Sequence, residues 1–226
     1  MKIYSSIKNS EKIFLLFGGF ASHFSHFEEY FKEQSFVLVY DYRDLDFKQI
    51  SLELDSALKN QNEVILLAFS MGVWVANKFL IFNKNLSFKI IKNIAINGTL
   101  YGINDKFGIS YKIFSFTARN FHLESFKKAL FGLSFKKAKN FQFAEENQLK
   151  NELEKLLENF SLECEIYAFW DYVFISHNDL VFSTKTQIYF WEIYQKQIAK
   201  NQNFQISFVD SPHFAFFDRE FLWKAL

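Results

Sequence analysis

A serine between two small residues is the strongest candidate nucleophile in this 226-residue chain. Ser70 lies in the run AFSMG at positions 68–72, after the apolar run 64–69 and before an apolar stretch with helical spacing. A nucleophile elbow needs this context, because small residues two before and two after the serine allow the strained turn to pack. Ala68 stands where the strict pattern has glycine, and it is still small. The alternative interpretation is a serine that only caps the following helix.

A nucleophilic serine needs a base, and we expect His213 to supply it. His213 follows the last predicted strand in the run DSPHF, which places it at the carboxyl edge of the sheet together with the serine. Pro212, the only proline, should stiffen this loop. The alternative interpretation is that His213 lies in an ordinary surface loop without a catalytic role. Four other histidines are more typical of structural or solvated positions: His23, His26, His122 and His177.

The third group should be a carboxylate that orients the histidine and stabilises its cation. Asp179 follows a predicted strand by three residues and is the preferred candidate. Asp171 precedes that strand and should lie at the opposite end of the sheet. Asp210 is a competing candidate, with a cap of its own loop as the alternative role, and Asp41 and Asp44 are weaker candidates. With Asp179, the chain order is serine, aspartate, histidine, as in α/β-hydrolases.

Two backbone N–H groups could stabilise an oxyanion. Gly18 and Gly19 end a strand and open a predicted helix, so the N–H of Phe20 can face the site, and the N–H of Met71 directly follows the serine. An ordinary strand-to-helix turn is the alternative. The glycine pair lacks the spacing of a dinucleotide loop and has no phosphate-loop lysine. No Cys/His cluster has the spacing of a metal site, and the pair His23 and His26 is weak evidence for one.

Short apolar runs alternate with helical patterns, which predicts an α/β fold with a mostly parallel sheet and helices on both faces. The predicted helices are 22–32, 48–59, 71–82, 184–200 and 214–226, and the predicted strands are 13–17, 36–40, 64–69, 90–96, 172–176 and 205–209. The apolar stretch 64–82 approaches the length of a membrane helix, but Asn77 and Lys78 within it favour a strand followed by a buried helix. From about 99 to 160 no strand is convincing, and 145–160 is amphipathic. We therefore expect one domain over 1–226 with a helical lid inserted at about 99–160.

Composition limits the classes of function. Half of the residues are hydrophobic, 32 are Phe, and 26 basic residues nearly balance 25 acidic ones, so the chain is neither disordered nor a polycation for nucleic acid. A single cysteine, Cys164, excludes an intramolecular disulfide and fits a reducing compartment. The first twelve residues do not resemble a signal peptide. We expect a cytoplasmic bacterial protein.

Six segments together resemble one small family, the BioG-type pimeloyl-acyl-carrier-protein methyl ester esterases of bacterial biotin synthesis. The likeness runs from about Ile13 to the C-terminus. It rests on the segments FGGFA (17–21), DYRDLDF (41–47), AFSMGV (68–73), NGTLYGIND (97–105), SHNDLV (176–181) and DSPHF (210–214). The serine elbow occurs in many hydrolases, whereas DYRDL and GTLYGI are more discriminating. Phe20 replaces a tryptophan common after the oxyanion glycine.

This resemblance implies an α/β-hydrolase with the triad Ser70, Asp179 and His213 and oxyanion donors at Phe20 and Met71. The implied reaction removes methanol from pimeloyl-acyl-carrier-protein methyl ester and needs no metal or organic cofactor. The implied partner is the acyl-carrier protein, and we expect a monomer without nucleic-acid or membrane partners. Two alternatives are another ester or thioester hydrolase, and a catalytically silent acyl-binding protein.

Basic residues form the remaining candidate site. Arg43 could bind a substrate carboxylate or phosphate, or form an ion pair with a neighbouring aspartate. Between positions 118 and 140 the only acidic residue is Glu124, and there are six basic residues: Arg119, Lys127, Lys128, Lys136, Lys137 and Lys139. A solvated helix face is the usual explanation. A basic rim on a lid would instead steer an acidic carrier protein.

Overall fold

The computed structural model of the chain describes residues 1–8, 12–59, 63–160, 165, 170–198, 203–218 and 220–226. Within these ranges one sheet is formed by the strands β1 (Lys2–Ser6), β2 (Ile13–Phe17), β3 (Ser35–Tyr40), β4 (Val64–Phe69), β5 (Ile90–Ile96), β6 (Tyr172–Asn178) and β7 (Gln205–Pro212). Their order across the sheet is β1-β3-β2-β4-β5-β6-β7. Every neighbouring pair from β3 to β7 is parallel. The predicted mostly parallel sheet is confirmed.

The strands that the sequence predicted are the buried ones. Every residue of β2 and β4 is buried, because α/β crossovers cover both faces of a parallel sheet. The sequence prediction missed β1, which pairs antiparallel to β3 at the edge of the sheet. Its residues are partly or fully exposed and include Lys2, Ser5 and Ser6, so no continuous apolar run marks it.

Six α-helices are described: α1 (Phe47–Leu58), α2 (Met71–Phe82), α3 (Tyr111–Arg119), α4 (Leu123–Phe131), α5 (Glu146–Asn159) and α6 (Thr184–Gln197). Helices α1, α2 and α6 bury side chains against one face of the sheet, where Ile13, Leu15 and Phe17 of β2 point. The stretch 64–82 is therefore a strand followed by a buried helix, as expected. Among the described residues, none of the helices has the length and apolarity that crossing a membrane requires.

The other face is covered differently from the prediction. Where the structure describes them, the segments predicted as helices 22–32 and 214–226 contain only the short 3-10 helices Phe24–His26, Ala215–Phe217 and Leu222–Ala225. They still bury Phe27 and Phe216 against this face. Large aromatic side chains supply that burial without a regular helical ladder, so the apolar spacing was correct and the helix assignment was wrong. The end of predicted helix 184–200 and Cys164 lie outside the described residues.

The segment between β5 and β6 crosses the carboxyl edge of the sheet. It contains α3, α4, a 3-10 helix (Gly132–Ala138) and α5. His26 fixes part of it: its Nε2 lies 2.6 Å from the carbonyl oxygen of Gln142, and its ring stacks on Phe141. Burial lowers the pKa of His26 to about 3, so the ring is neutral and Nε2 donates the hydrogen bond.

Helix α2 crosses β2 so closely that only glycine fits at its second residue. A Cβ built on Gly72 would lie 2.2 Å from the carbonyl oxygen of Phe17 and 2.3 Å from that of Gly18. Both neighbours are backbone atoms, which cannot rotate away as a side chain would. The trailing glycine of the AFSMG run is therefore a packing requirement of the turn.

We predict that Gly72→Ala lowers the free energy of unfolding by about 1–3 kcal/mol or more, because the added methyl must push α2 away from the backbone at the end of β2. Lys78→Ala, at a partly exposed position of the same helix, should change it by about 0.5 kcal/mol or less. Urea unfolding of the two variants provides the comparison. Equal stabilities would show that the helix can shift without cost.

Candidate active site

Ser70 occupies a strained turn between β4 and α2. Its φ is +58° and its ψ is −125°, a conformation that non-glycine residues rarely adopt. The side chain makes no capping hydrogen bond to α2, so the capping interpretation is wrong. Its Oγ instead lies 2.8 Å from Nε2 of His213.

His213 connects Ser70 to a buried carboxylate. Its Nδ1 lies 2.7 Å from Oδ2 of Asp179, and the side chains of both residues are almost fully buried. Because the carboxylate accepts at Nδ1, the proton resides there and Nε2 is left to accept from the serine hydroxyl. The three side chains thus form one hydrogen-bonded chain in the order needed to draw a proton from Ser70.

Asp179 is held by three further donors. Its Oδ1 accepts the N–H groups of Val181 and Phe182 at 2.9 and 2.7 Å, and its Oδ2 accepts Nε2 of Gln187 at 3.0 Å. These bonds compensate for the loss of water around a buried charge. Gln187 was not identified from the sequence; it is a fully buried polar residue of α6.

The competing carboxylates point elsewhere. Asp210 is exposed and accepts Nδ2 of Asn178 at 3.0 Å. Asp171 lies at the opposite end of the sheet, where it accepts the N–H of Asn93. Asp41 binds Arg43. Asp179 hydrogen-bonds His213, whereas these three carboxylates hydrogen-bond other residues.

A buried amide that the sequence analysis did not assign holds the histidine loop. Asn97, at the end of β5 with φ +50°, donates from Nδ2 to the carbonyl oxygen of His213 at 2.6 Å and to Oγ of Ser176 at 2.7 Å. Its Oδ1 accepts the N–H of Ser176. Ser176 also hydrogen-bonds Ser211. The available signal was the NGTLYGIND segment, whose asparagine directly follows a buried strand.

A cavity of about 300 Å³ opens onto the serine. Side chains of α3, α4 and the turn at 180–181 form most of its wall together with Phe20 and Leu153. The lining is mainly apolar, with Thr117, Asn120, His122 and Ser125 as polar members besides the serine and histidine. A neutral, elongated apolar group suits such a cavity.

The two expected oxyanion donors border this cavity. Phe20 and Met71 both line it, and a Cβ on Gly19 would lie 2.9 Å from Cβ of Ser70. The loop before Phe20 therefore runs directly against the serine. In the part of the chain that the structure describes, neither N–H donates to a protein acceptor.

Comparison with known families agrees with this geometry. Residues 1–219 match the family described as pimeloyl-ACP methyl esterase BioG. The chain belongs to the BioG family. BioG from Haemophilus influenzae has a solved structure that superposes with a TM-score of 0.77 at 24% identity, over 96% of this chain and 95% of that one. An esterase from Exiguobacterium antarcticum gives a TM-score of 0.60 at 14% identity, over 98% and 92%. These likenesses show the α/β-hydrolase fold, and family and fold together support a hydrolase.

A curated relative is larger than this BioG-family chain. The malonyl-[acyl-carrier protein] O-methyltransferase of Bacteroides fragilis is 32% identical over 171 residues. The match covers 73% of this chain but only 33% of the relative, so this chain spans about a third of that protein's length.

Arg43 lies outside the serine cavity. Its guanidinium binds both carboxylate oxygens of Asp41, at 2.7 and 2.6 Å, and Lys2 adds a contact at 2.8 Å. Burial opposes ionisation of Asp41, but the hydrogen bonds from Arg43 and Lys2 prevail and hold the pKa of that carboxyl well below its ordinary value. The ion-pair interpretation of Arg43 fits this arrangement.

The predicted basic rim is only partly available. Lys127 pairs with Glu124 at 2.7 Å and lies over the ring of Phe143. The exposed basic residues of this segment are Arg119, Lys128, Lys136, Lys137 and Lys139. None of them lines the serine cavity. Among the described residues no group of His, Cys, Asp and Glu could hold a metal ion. His26 accepts the N–H of His23 at Nδ1 and contacts the carbonyl oxygen of Gln142 at Nε2, and His23 contacts Ser25.

We predict that Asp179→Asn lowers turnover of an activated ester by about 10⁴-fold. The asparagine oxygen can keep the two backbone donors, which leaves its NH₂ facing Nδ1 of His213. That contact forces the imidazole proton onto Nε2, and a protonated Nε2 can no longer accept the hydroxyl proton of Ser70. Steady-state rates test this, with Asp210→Asn as the matched control. A larger loss in the control would assign the role to Asp210.

Proposed function

We propose that this BioG-family chain is a serine esterase that hydrolyses the methyl ester of pimeloyl-acyl-carrier protein to the free carboxylate and methanol, as a step of biotin synthesis. The observation that carries the proposal is the hydrogen-bonded chain Ser70–His213–Asp179, which ends in an apolar cavity. A serine that made no hydrogen bond to a histidine would not support the proposal.

In the proposed mechanism, His213 takes the proton of Ser70 as the hydroxyl attacks the ester carbonyl. Asp179 stabilises the imidazolium that forms. The N–H groups of Phe20 and Met71 receive the developing oxyanion. The tetrahedral intermediate collapses, methanol leaves with the proton from His213, and water activated by the same imidazole hydrolyses the acyl-enzyme.

The cavity favours a neutral ester over a free acid. Of the described residues that line it, none is Lys, Arg, Asp or Glu. A methyl ester can enter without losing the hydration of a charge, whereas the carboxylate formed by hydrolysis would be desolvated without a partner. This difference supports an uncharged acyl chain as substrate and favours release of the product.

The larger relative supports a methyl ester on a carrier protein. That protein is named for methylating malonyl-acyl-carrier protein, and the part similar to this chain is only a third of it. We infer that its similar part removes the methyl group that the named activity adds. By this inference the substrate of the present chain is a carrier-bound methyl ester.

Mass spectrometry of methyl pimeloyl-acyl-carrier protein after incubation tests the proposal. We predict loss of one methyl group with the thioester intact, and a rate about 10³-fold or more lower for Ser70→Ala. Release of the whole acyl chain would instead indicate a thioesterase. No change in mass and no acyl-enzyme burst with an activated ester would indicate a silent binding protein.

We also propose that the exposed lysines around α4 attract the acidic carrier protein. Lys127 is compensated by Glu124, so Lys128 and Lys136 are the better test. Long-range attraction at a wet surface acts mainly on the encounter rate and weakens with salt.

We predict that Lys128→Glu with Lys136→Glu slows hydrolysis of the carrier-protein ester at low ionic strength and leaves a small soluble ester unaffected. The control pair is Lys89→Glu with Lys196→Glu, two exposed lysines outside this segment. Measuring kcat/KM for both substrates at low and high salt tests whether these lysines attract the carrier protein. Equal effects on the two substrates would mean that these lysines only keep the segment soluble.

A further inference from the structure

Helix α5 buries a carboxylate that the proposed mechanism does not use. Glu152 is 3% exposed. Its Oε1 accepts the N–H of Tyr42 at 3.1 Å, and its Oε2 accepts the N–H of Ala21 at 3.4 Å. Both hydrogen-bond partners are backbone groups of loops at the carboxyl edge of the sheet. A charged group in this setting is costly to bury, so its contacts require an explanation.

The two N–H groups belong to the loops that shape the serine cavity. Ala21 directly follows Phe20 and has φ +60°, a left-handed conformation that alanine adopts only under constraint. Tyr42 follows β3, and its Oη donates to the carbonyl oxygen of Gly18 at 2.5 Å. Glu152 therefore reaches both sides of the loop 18–21, directly at Ala21 and through Tyr42 at Gly18.

We propose that Glu152 is a positioning residue whose carboxylate fixes the loop 18–21, so that the N–H of Phe20 is directed at the oxyanion formed on Ser70. This inference rests on the proposed esterase function and deepens it. Because α5 belongs to the segment between β5 and β6, the same contacts couple the packing of that segment to the geometry of the oxyanion site.

The charged surroundings of Glu152 make its protonation state adjustable. The cavity beside it is lined by Lys2, His23, Asp41 and Arg43, as well as by Glu152 itself. Burial raises the pKa of Glu152, the N–H of Tyr42 opposes that rise and the charge of Asp41 adds to it, with the result that the pKa lies at about 7. A protonated carboxyl turns one of its two acceptors into a donor. One of the two anchoring hydrogen bonds is then lost.

Glu152→Gln imitates the protonated state without changing the shape of the side chain. With a small soluble ester, we expect kcat to fall about 10-fold to 100-fold, less than the loss of an entire oxyanion donor. KM should stay within about twofold, since ground-state binding does not use the oxyanion site. The affinity for a trifluoromethyl ketone, which forms a tetrahedral adduct with the serine, should fall by a similar factor to kcat. Glu154→Gln, at an exposed position of the same helix, is the matched control and should match the wild type.

A pH profile distinguishes positioning from simple stabilisation. The ratio of wild-type kcat to that of Glu152→Gln should approach one well below the pKa of Glu152 and reach its full value well above it. A ratio that is constant with pH, or unchanged kcat and inhibitor affinity beside a lowered melting temperature, would overturn the positioning role.

If Glu152→Gln fails to fold, Glu152→Asp replaces it: the shorter carboxylate reaches at most one N–H, and wild-type kcat in this variant would also overturn the inference. Wild-type protein without Ser70-dependent esterase activity would refute the proposed function and this inference together, whereas an active wild type with an equally active Glu152→Gln would refute only the inference.

Discussion

The left-handed turn at Ser70 is the constraint on which the rest of the site depends. A non-glycine residue in this conformation costs about 1–3 kcal/mol, so surrounding packing must hold it. Nine of the twelve residues of α2 are buried, and Gly72 lets this helix lie directly on the backbone of β2. The turn raises the serine hydroxyl out of the sheet, where His213 reaches it. Relaxing the turn would separate the hydroxyl from its partner.

Around that turn, buried polar groups do what apolar packing cannot. Apolar contacts are non-directional, whereas a buried amide or carboxylate has few arrangements that satisfy all of its hydrogen bonds. Asn97 ties the histidine loop to β6, Gln187 supports Asp179, and Glu152 joins two loops to α5. The bonds of Asn97 and Glu152 connect elements that are far apart in the chain. The precision of the site thus comes from long-range hydrogen bonds laid over a phenylalanine-rich core.

Sequence patterns predicted best where one local signal was sufficient. Continuous apolar runs marked the buried strands, and α2 was predicted with its observed bounds. The edge strand β1 failed because partial exposure leaves no such run, and two predicted helices failed because aromatic spacing fixes burial without fixing the hydrogen-bond ladder. The charge of Lys127 was evident from its residue type, but the ion pair with Glu124 that compensates it was not predicted.

By itself, the sequence determined the fold class, the nucleophile turn and the order of serine, aspartate and histidine, because each follows from residue types next to the end of a strand. Only the tertiary structure decided which carboxylate meets His213, and that Glu152 reaches the loop 18–21 beside Ser70. These pairings join residues up to 131 positions apart. Their partners are chosen by how strands and helices pack, which local spacing does not encode.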